Sequence, residues 1–354
     1  MRVITCEQVS NGHPDKICDQ VADAIVTDCL EHDKNSRVAI ECLVKDNKLI
    51  IAGELTSAWK PDYKKLVCEV IDRIGKDRVD YGEDGPELEI LVREQSGDIA
   101  LGVDVGGAGD QGMMYGYATN ETPEFLPLPY VLATKFLIKL RDAKDPMLRA
   151  DAKAQVSYDY DSGRITTFLC STQHKADYDP MDFEPLVAGL MMKTAEEYEL
   201  NTDFDILINP TGRFVEGGSF ADCGVTGRKL ACDTCGGVGR IGGGAMSGKD
   251  PSKVDRSGAY MARKIARDIV AAEMADKCEV QIAYAIGVAE PVSVFIDTFG
   301  TEHVGRKFIE SCARQYDLTP RGIIQTLGLL DVDYNKVSSY GHFMRDDVPW
   351  EQFI

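Results

Sequence analysis

One order of elements, helix then hairpin then helix, recurs three times along the chain, and no other feature narrows the possible folds as far. The first copy opens with a helix from about Pro14 to Leu30, with Ile17, Val21, Ala24 and Ile25 on one face. RVAIECLV and LIIAGEL flank Asp46-Asn47 and read as two strands joined by a tight turn. A second helix follows Pro61 with Leu66, Val67, Val70, Ile71 and Ile74 as its stripe, and LEILV is a further strand. The second copy has a helix near 128–141, the hairpin QVSYDY-DSG-RITTFLCS, a helix near 182–199 and the strand FDILINP. The third has a helix near 255–277, strands EVQIAYAIG and PVSVFID, and a helix starting near Val304. A spacing of about 110–125 residues is too long for a solenoid. The pattern predicts an α+β fold of three similar domains, each a small, mainly antiparallel sheet with helices on one face. Their expected ranges are 1–100, 105–215 and 216–354, with exchange of segments between them allowed. The open sheet faces need covering, which predicts a tightly packed oligomer.

Charge and glycine locate the chemistry. The chain carries 58 acidic and 39 basic residues, a net charge of −19, which argues against nucleic-acid or anionic-membrane binding. No apolar run approaches the ~18 residues that span a bilayer. The segment MRVITCEQVS does not read as a signal peptide, and 11 scattered cysteines read as reduced thiols, so a cytoplasmic location is expected. Residues 228–256 depart from this acidity. They hold Arg228, Lys229, Arg240, Lys249, Lys253 and Arg256 against Asp233, Asp250 and Asp255, a net +3 where the other 325 residues carry −22. Seven glycines punctuate the same segment, at 236, 237, 239, 242, 243, 244 and 248. A basic, glycine-rich run with free backbone N–H groups suits a polyphosphate.

Several narrower motifs fail on inspection. Gly237-x-Gly239-x-x-Gly242 mimics a dinucleotide fingerprint, but further glycines follow where a helix must start. Gly243-x4-Gly248-Lys249 mimics a P-loop, yet Asp250 and Pro251 replace the hydroxyl and the helix start. Cys232-x-x-Cys235 has no second pair or nearby histidine for zinc. At the other end of the chain, Pro14 fixes a helix start and gathers His13, Asp15 and Lys16 at its positive end, a place for phosphate and metal. The glycine-rich 106–112, Asp151-Ala152-Lys153 and Asn209–Phe214 each read as turns.

Taken together, GHPDK at 12–16, GAGDQG at 107–112, DAK at 151–153, NPTGRF at 209–214, DCGVTGRK at 222–229 and GGGAMSGKDPSKVDRS at 242–257 resemble, in order, the signatures of the S-adenosylmethionine synthetase (methionine adenosyltransferase) family, bacterial type. YATNET at 117–122, STQH at 171–174 and YGHF at 340–343 extend the resemblance from about Thr5 to Trp350. It implies pseudo-threefold symmetry and a homodimer with shared active sites, sometimes paired into a tetramer. It implies that ATP and L-methionine react by sulfur attack on C5′, with the released triphosphate hydrolysed to phosphate and diphosphate. Two magnesium ions and one potassium ion per site are the implied cofactors. By the same resemblance His13, Lys153 and Lys249 are catalytic. ATP is met by His13, Asp151, Lys153, Arg213, Phe214, Asp222, Arg228, Lys229, Ala245 and Lys249, and methionine by Glu54, Gln95, Asp222 and Lys253. Asp15 and Asp255 hold magnesium and Glu41 holds potassium. The chemistry is coherent: a thioether needs no general base, so positioning the sulfur and stabilising the leaving polyphosphate must supply the rate.

The sequence departs from the family pattern in two places. Only 11 residues separate Gln95 from Gly107, where the family carries a longer lid, which predicts weaker sequestration of the site. The chain ends at Ile354, where relatives often continue with a helical tail, which favours dimer contacts over tetramer contacts. Two other readings compete. A phosphotransferase or polyphosphatase would need an acceptor-activating base, and none accompanies the basic segment. A non-catalytic partner of an active synthetase would lack site residues, which are present here.

Overall fold

The computed structural model describes residues 2–75, 77, 79–82, 84–95 and 107–353. The short 96–106 segment of the expected lid lies outside the described residues. Three sheets are built on one plan. In the first, β2 (Arg37–Lys45) and β3 (Lys48–Thr56) form an antiparallel hairpin. Helix α2 (Tyr63–Ile74) then returns the chain to β4 (Glu87–Arg93), parallel to β3, and β9 (Gly224–Val225) pairs antiparallel with the free edge of β2. In the second, β6 (Leu148–Asp159) and β7 (Arg164–His174) form the hairpin. Helix α4 (Pro180–Glu196) leads to β8 (Asp205–Ile208), parallel to β7, and β1 (Val3–Val9) pairs antiparallel with β6. In the third, β10 (Lys277–Tyr284) and β11 (Ser293–Asp297) form the hairpin and β5 (Gly112–Thr119) pairs antiparallel with β10. Each sheet therefore takes one strand from a distant part of the chain, always beside the first strand of its hairpin. This is the expected α+β architecture with pseudo-threefold symmetry.

The helices cover one side of these sheets. Helix α1 (Pro14–His32) is buried along most of its length, and α3 (Leu128–Asp142) and α5 (Val254–Ala271) are its counterparts in the other two copies. One core cluster joins α1, α2, α5 and the first and third sheets, and a second lies between α3, α4 and the β6–β7 hairpin. Helices α6 (Arg306–Ala313) and α7 (Pro320–Leu327) complete the third copy. Two expectations from sequence are corrected. The third long helix stops at Ala271 rather than near 277, because Glu273 takes φ +54° and turns the chain into β10. Asp151-Ala152-Lys153 is not a turn but part of β6, since Lys153 pairs with Val9 of β1 and Ser171 of β7.

The sheet faces away from the helices are open and partly apolar. Leu43 and Leu91 of the first sheet are 38% and 55% exposed, and Met113 and Phe295 of the third are 54% and 44% exposed. Cross-strand register puts Glu41 and Glu54 on the same face as Leu43.

Candidate active site

Two clusters of candidate residues form around α1. The first sits at its N-terminus. Ser10 ties the end of β1 to β6: its hydroxyl donates to Ala150 O at 2.6 Å and accepts from Ala152 N–H at 2.8 Å. Gly12 passes so close to Ala150 that a Cβ there would lie 2.3 Å from the alanine Cβ, so only glycine fits. This contact brings His13 within electrostatic reach of Lys153. His13 caps the helix, and its Nδ1 accepts the Asp15 N–H at 3.2 Å, which leaves the proton of the neutral ring on Nε2. Burial, reinforced by Lys229 and Lys153, pushes the imidazole down to about 3, so the ring is neutral at physiological pH. The Asp15 carboxylate accepts Val225 N–H at 2.8 Å and pairs with Lys229. Asp222 and Lys229 both bear on Asp151, whose carboxyl accepts Gly218 N–H at 2.8 Å.

Burial is the main cause that pushes Asp151 up to about 6 from 3.8. A carboxyl raised in the folded state favours folding below its unfolded value, and that contribution is lost as pH rises through the folded one. The substitution Asp151→Asn is therefore expected to stabilise the substrate-free protein by up to about 3 kcal/mol above pH 6 and by nothing below pH 4. Thermal unfolding of both proteins across that pH range measures the difference.

The second cluster lies at the end of the glycine-rich segment. Lys249 Nζ donates to Asp255 Oδ2 at 2.6 Å, and Lys253 pairs with Asp250. Gly244 lies against Asp255, and Ala245 packs against Gly227. Asp250 accepts Val38 N–H at 2.7 Å, which docks this segment on β2. The cavity here, bounded by Met113, Gly242, Gly244 and Asp255, holds only about 20 Å³, far below the ~300 Å³ of a small-molecule pocket.

Other candidates stand apart from both clusters. Arg213 and Arg228 are exposed, and Phe214 is half-buried, fixed by a hydrogen bond from its N–H to His174 Nε2 at 3.0 Å. Glu41 and Glu54 lie on the open sheet face, and Gln95 donates its backbone N–H to Thr56 Oγ1 at 3.3 Å. Lys16, read from sequence as part of a phosphate and metal site, is instead buried between Asp19 and Asp233 at 2.9 and 2.6 Å. Both thiols of Cys232-x-x-Cys235 are buried and free, and no helix follows Gly242 until Val254. Sequence reasoning missed Asp19 and Asp23. Their signal was the spacing Asp15, Asp19, Asp23, one acid per helical turn on one face of α1.

Comparison with known proteins shows the family. Three family models match the chain: the S-adenosylmethionine synthetase N-terminal domain over 1–97, central domain over 105–214 and C-terminal domain over 216–352. The S-adenosylmethionine synthase of Mesoplasma florum is 46% identical, the match covering 99% of this chain and 97% of that protein. That of Mycoplasma capricolum subsp. capricolum is 44% identical, over 99% and 95%. A three-unit α+β fold with clustered cations and carboxylates defines a transferase of the S-adenosylmethionine synthetase family, and the chain belongs to that family. It is an enzyme that makes S-adenosylmethionine from ATP and methionine, in a family that uses divalent and monovalent cations. Among the described residues no helix is long and apolar enough to cross a membrane.

Proposed function

We propose that the sulfur of L-methionine attacks C5′ of ATP and displaces the intact triphosphate, which water then cleaves to phosphate and diphosphate before S-adenosylmethionine leaves. In the first step a sulfur lone pair forms the S–C5′ bond, the C5′–O bond breaks and its electron pair stays on the triphosphate. No proton moves, so the enzyme's task is to hold reactants and stabilise the departing charge. The observation that carries this reading is His13. Its ring is neutral, its Nδ1 is engaged by the backbone, and its Nε2–H is left to donate to the departing oxygen. Lys153 and Lys229 stand beside it, and Arg228, Lys249 and Lys253 add cations for the phosphates and the methionine carboxylate. Arg213 and Phe214 serve the adenine, the ring of Phe214 by stacking. Glu54, Gln95 and Asp222 serve methionine, Asp222 through the substrate ammonium group.

The donor chemistry suits magnesium arriving with its substrate. Among the described residues no group of three or more metal-ligating side chains forms a cage, and Asp15 and Asp255 are single carboxylates facing lysines. Magnesium favours such sites, one or two carboxylates completed by substrate phosphates and water. Asp15 and Asp255 would each hold one ion and Glu41 the potassium. Bound magnesium would neutralise charge on the triphosphate.

The enzyme works as a homodimer in which the first cluster of one protomer faces the second cluster of its partner. Two features support this: the cavity at Asp255 is too small for a nucleotide, and Glu41 and Glu54 share an open apolar face with Leu43. Pairing of such dimers into a tetramer is compatible with this reading, as is a cytoplasmic location. Inorganic triphosphate supplied with magnesium and potassium should give equal amounts of phosphate and diphosphate, whereas ATP without methionine should give neither. Phosphate from ATP alone would favour the polyphosphatase reading and overturn the mechanism.

A further inference from the structure

Three carboxylates climb one face of α1, and each holds a backbone N–H of a distant segment. Asp15 holds Val225, Asp19 holds Gly227 at 2.8 Å, and Asp23 holds Gly248 at 2.9 Å. Each is matched by a cation: Lys229 for Asp15, Lys16 for Asp19 and Arg256 for Asp23. Asp15 belongs to the first cluster. Asp23 is fully buried and touches neither cluster's candidate side chains.

What Asp23 holds are their neighbours. Gly248 precedes Lys249, and Arg256 follows Asp255. Arg256 is itself fully buried; Nε donates to Met246 O at 2.6 Å, Nη1 reaches the Tyr260 hydroxyl at 3.3 Å, and the guanidinium lies 4.3 Å from the Tyr334 ring centre. Gly248 has φ +83°, and a Cβ there would lie 2.0 Å from Ile40 O. Its own carbonyl accepts Ile40 N–H at 2.9 Å. The path Lys249, Gly248, Asp23, Arg256, Asp255 is closed into a ring by the 2.6 Å Lys249–Asp255 contact.

We propose that Asp23 is a positioning residue for the transfer step, clamping Gly248 and Arg256 so that Lys249 and Asp255 keep their geometry in the second cluster. The ring needs both functions of the carboxylate, since a backbone donor and a guanidinium share it. This inference rests on the proposed function, because it assigns Asp23 a role through two residues of that site.

The substitution Asp23→Asn keeps an acceptor for Gly248 but leaves Arg256 without its counter-charge. It is expected to lower kcat for S-adenosylmethionine formation about 100-fold, the cost of displacing a catalytic group by roughly an ångström. The KM for methionine should stay within about twofold. Two further proteins separate positioning from loss of fold. The pair Asp23→Asn with Arg256→Gln removes both buried charges, so its thermal midpoint should recover while kcat stays low. The variant Val26→Ala, in the same helix, should lose stability and keep kcat. Recovery of kcat together with stability in the double variant, or an Asp23→Asn enzyme within about threefold of wild type, would overturn the proposal. Absence of S-adenosylmethionine from the unaltered enzyme would instead reject the proposed function.

Discussion

Replacing Lys153 by methionine is expected to cut kcat for S-adenosylmethionine formation by about 10²–10³-fold with no loss of fold, the usual effect of deleting a group aimed at developing charge. Lys153 is exposed on β6, and its ammonium bears on both His13 and Asp151. Lys229, Lys249 and Lys253 are engaged by Asp15, Asp255 and Asp250, whereas Lys153 is in no ion pair among the described residues. It is thus, of these four lysines, the one most available to the triphosphate without rearrangement. The proposed sharing of each site between two protomers gives a second readout. Lys153→Met and Lys249→Met proteins should each be inactive, yet mixed dimers should regain one intact site of two. With random mixing about a quarter of the wild-type activity returns if the sites are made by two protomers. No recovery in demonstrated mixed dimers would show that one chain supplies both lysines to a site.

The largest effect on stability is expected at Arg263, well away from the chemistry. This fully buried guanidinium donates to Glu351 at 2.8 and 2.7 Å and to the carbonyls of Tyr117, Phe125 and Glu124 at 2.7, 2.9 and 2.8 Å. It thereby joins α5 to β5, to the turn before α3 and to the C-terminal segment. The substitution Arg263→Met leaves the buried Glu351 carboxylate with Arg267 alone, at 3.4 Å, and strips three buried carbonyls of their donor, which together cost about 3–5 kcal/mol. Adding Glu351→Leu should restore part of that loss, because the under-paired buried carboxylate is gone, but not all, since the carbonyls lose their donor and Arg267 loses its partner. Chemical unfolding midpoints of the single and double variants test both statements.

Local patterning made the hairpins and long helices legible in the sequence. Apolar spacing marked α1 and α2, and the Asp46-Asn47 turn marked the β2–β3 hairpin, where Asp46 takes φ +50°. The exchanged strands were not legible, because β1, β5 and β9 find partners more than a hundred residues away and carry no local signal of that pairing. This is why Asp151 and Lys153 read as a turn: the strand that contains them is completed by β1. The site was legible as a set of motifs, but not as two clusters. Lys16 misled, since its position beside Asp15 says nothing of Asp233, which reaches it from 217 residues away. Asp23 was hidden for the opposite reason, being an acid in a helix otherwise read only for its apolar face.

Coupling of S-adenosylmethionine synthesis to triphosphate cleavage is measured by incubating the purified enzyme with ATP, L-methionine, magnesium and potassium and quantifying S-adenosylmethionine, phosphate and diphosphate together. Equal amounts of all three, formed only when methionine is present, are the predicted result. Phosphate formed without S-adenosylmethionine, or S-adenosylmethionine accompanied by free triphosphate that accumulates uncleaved, would contradict it.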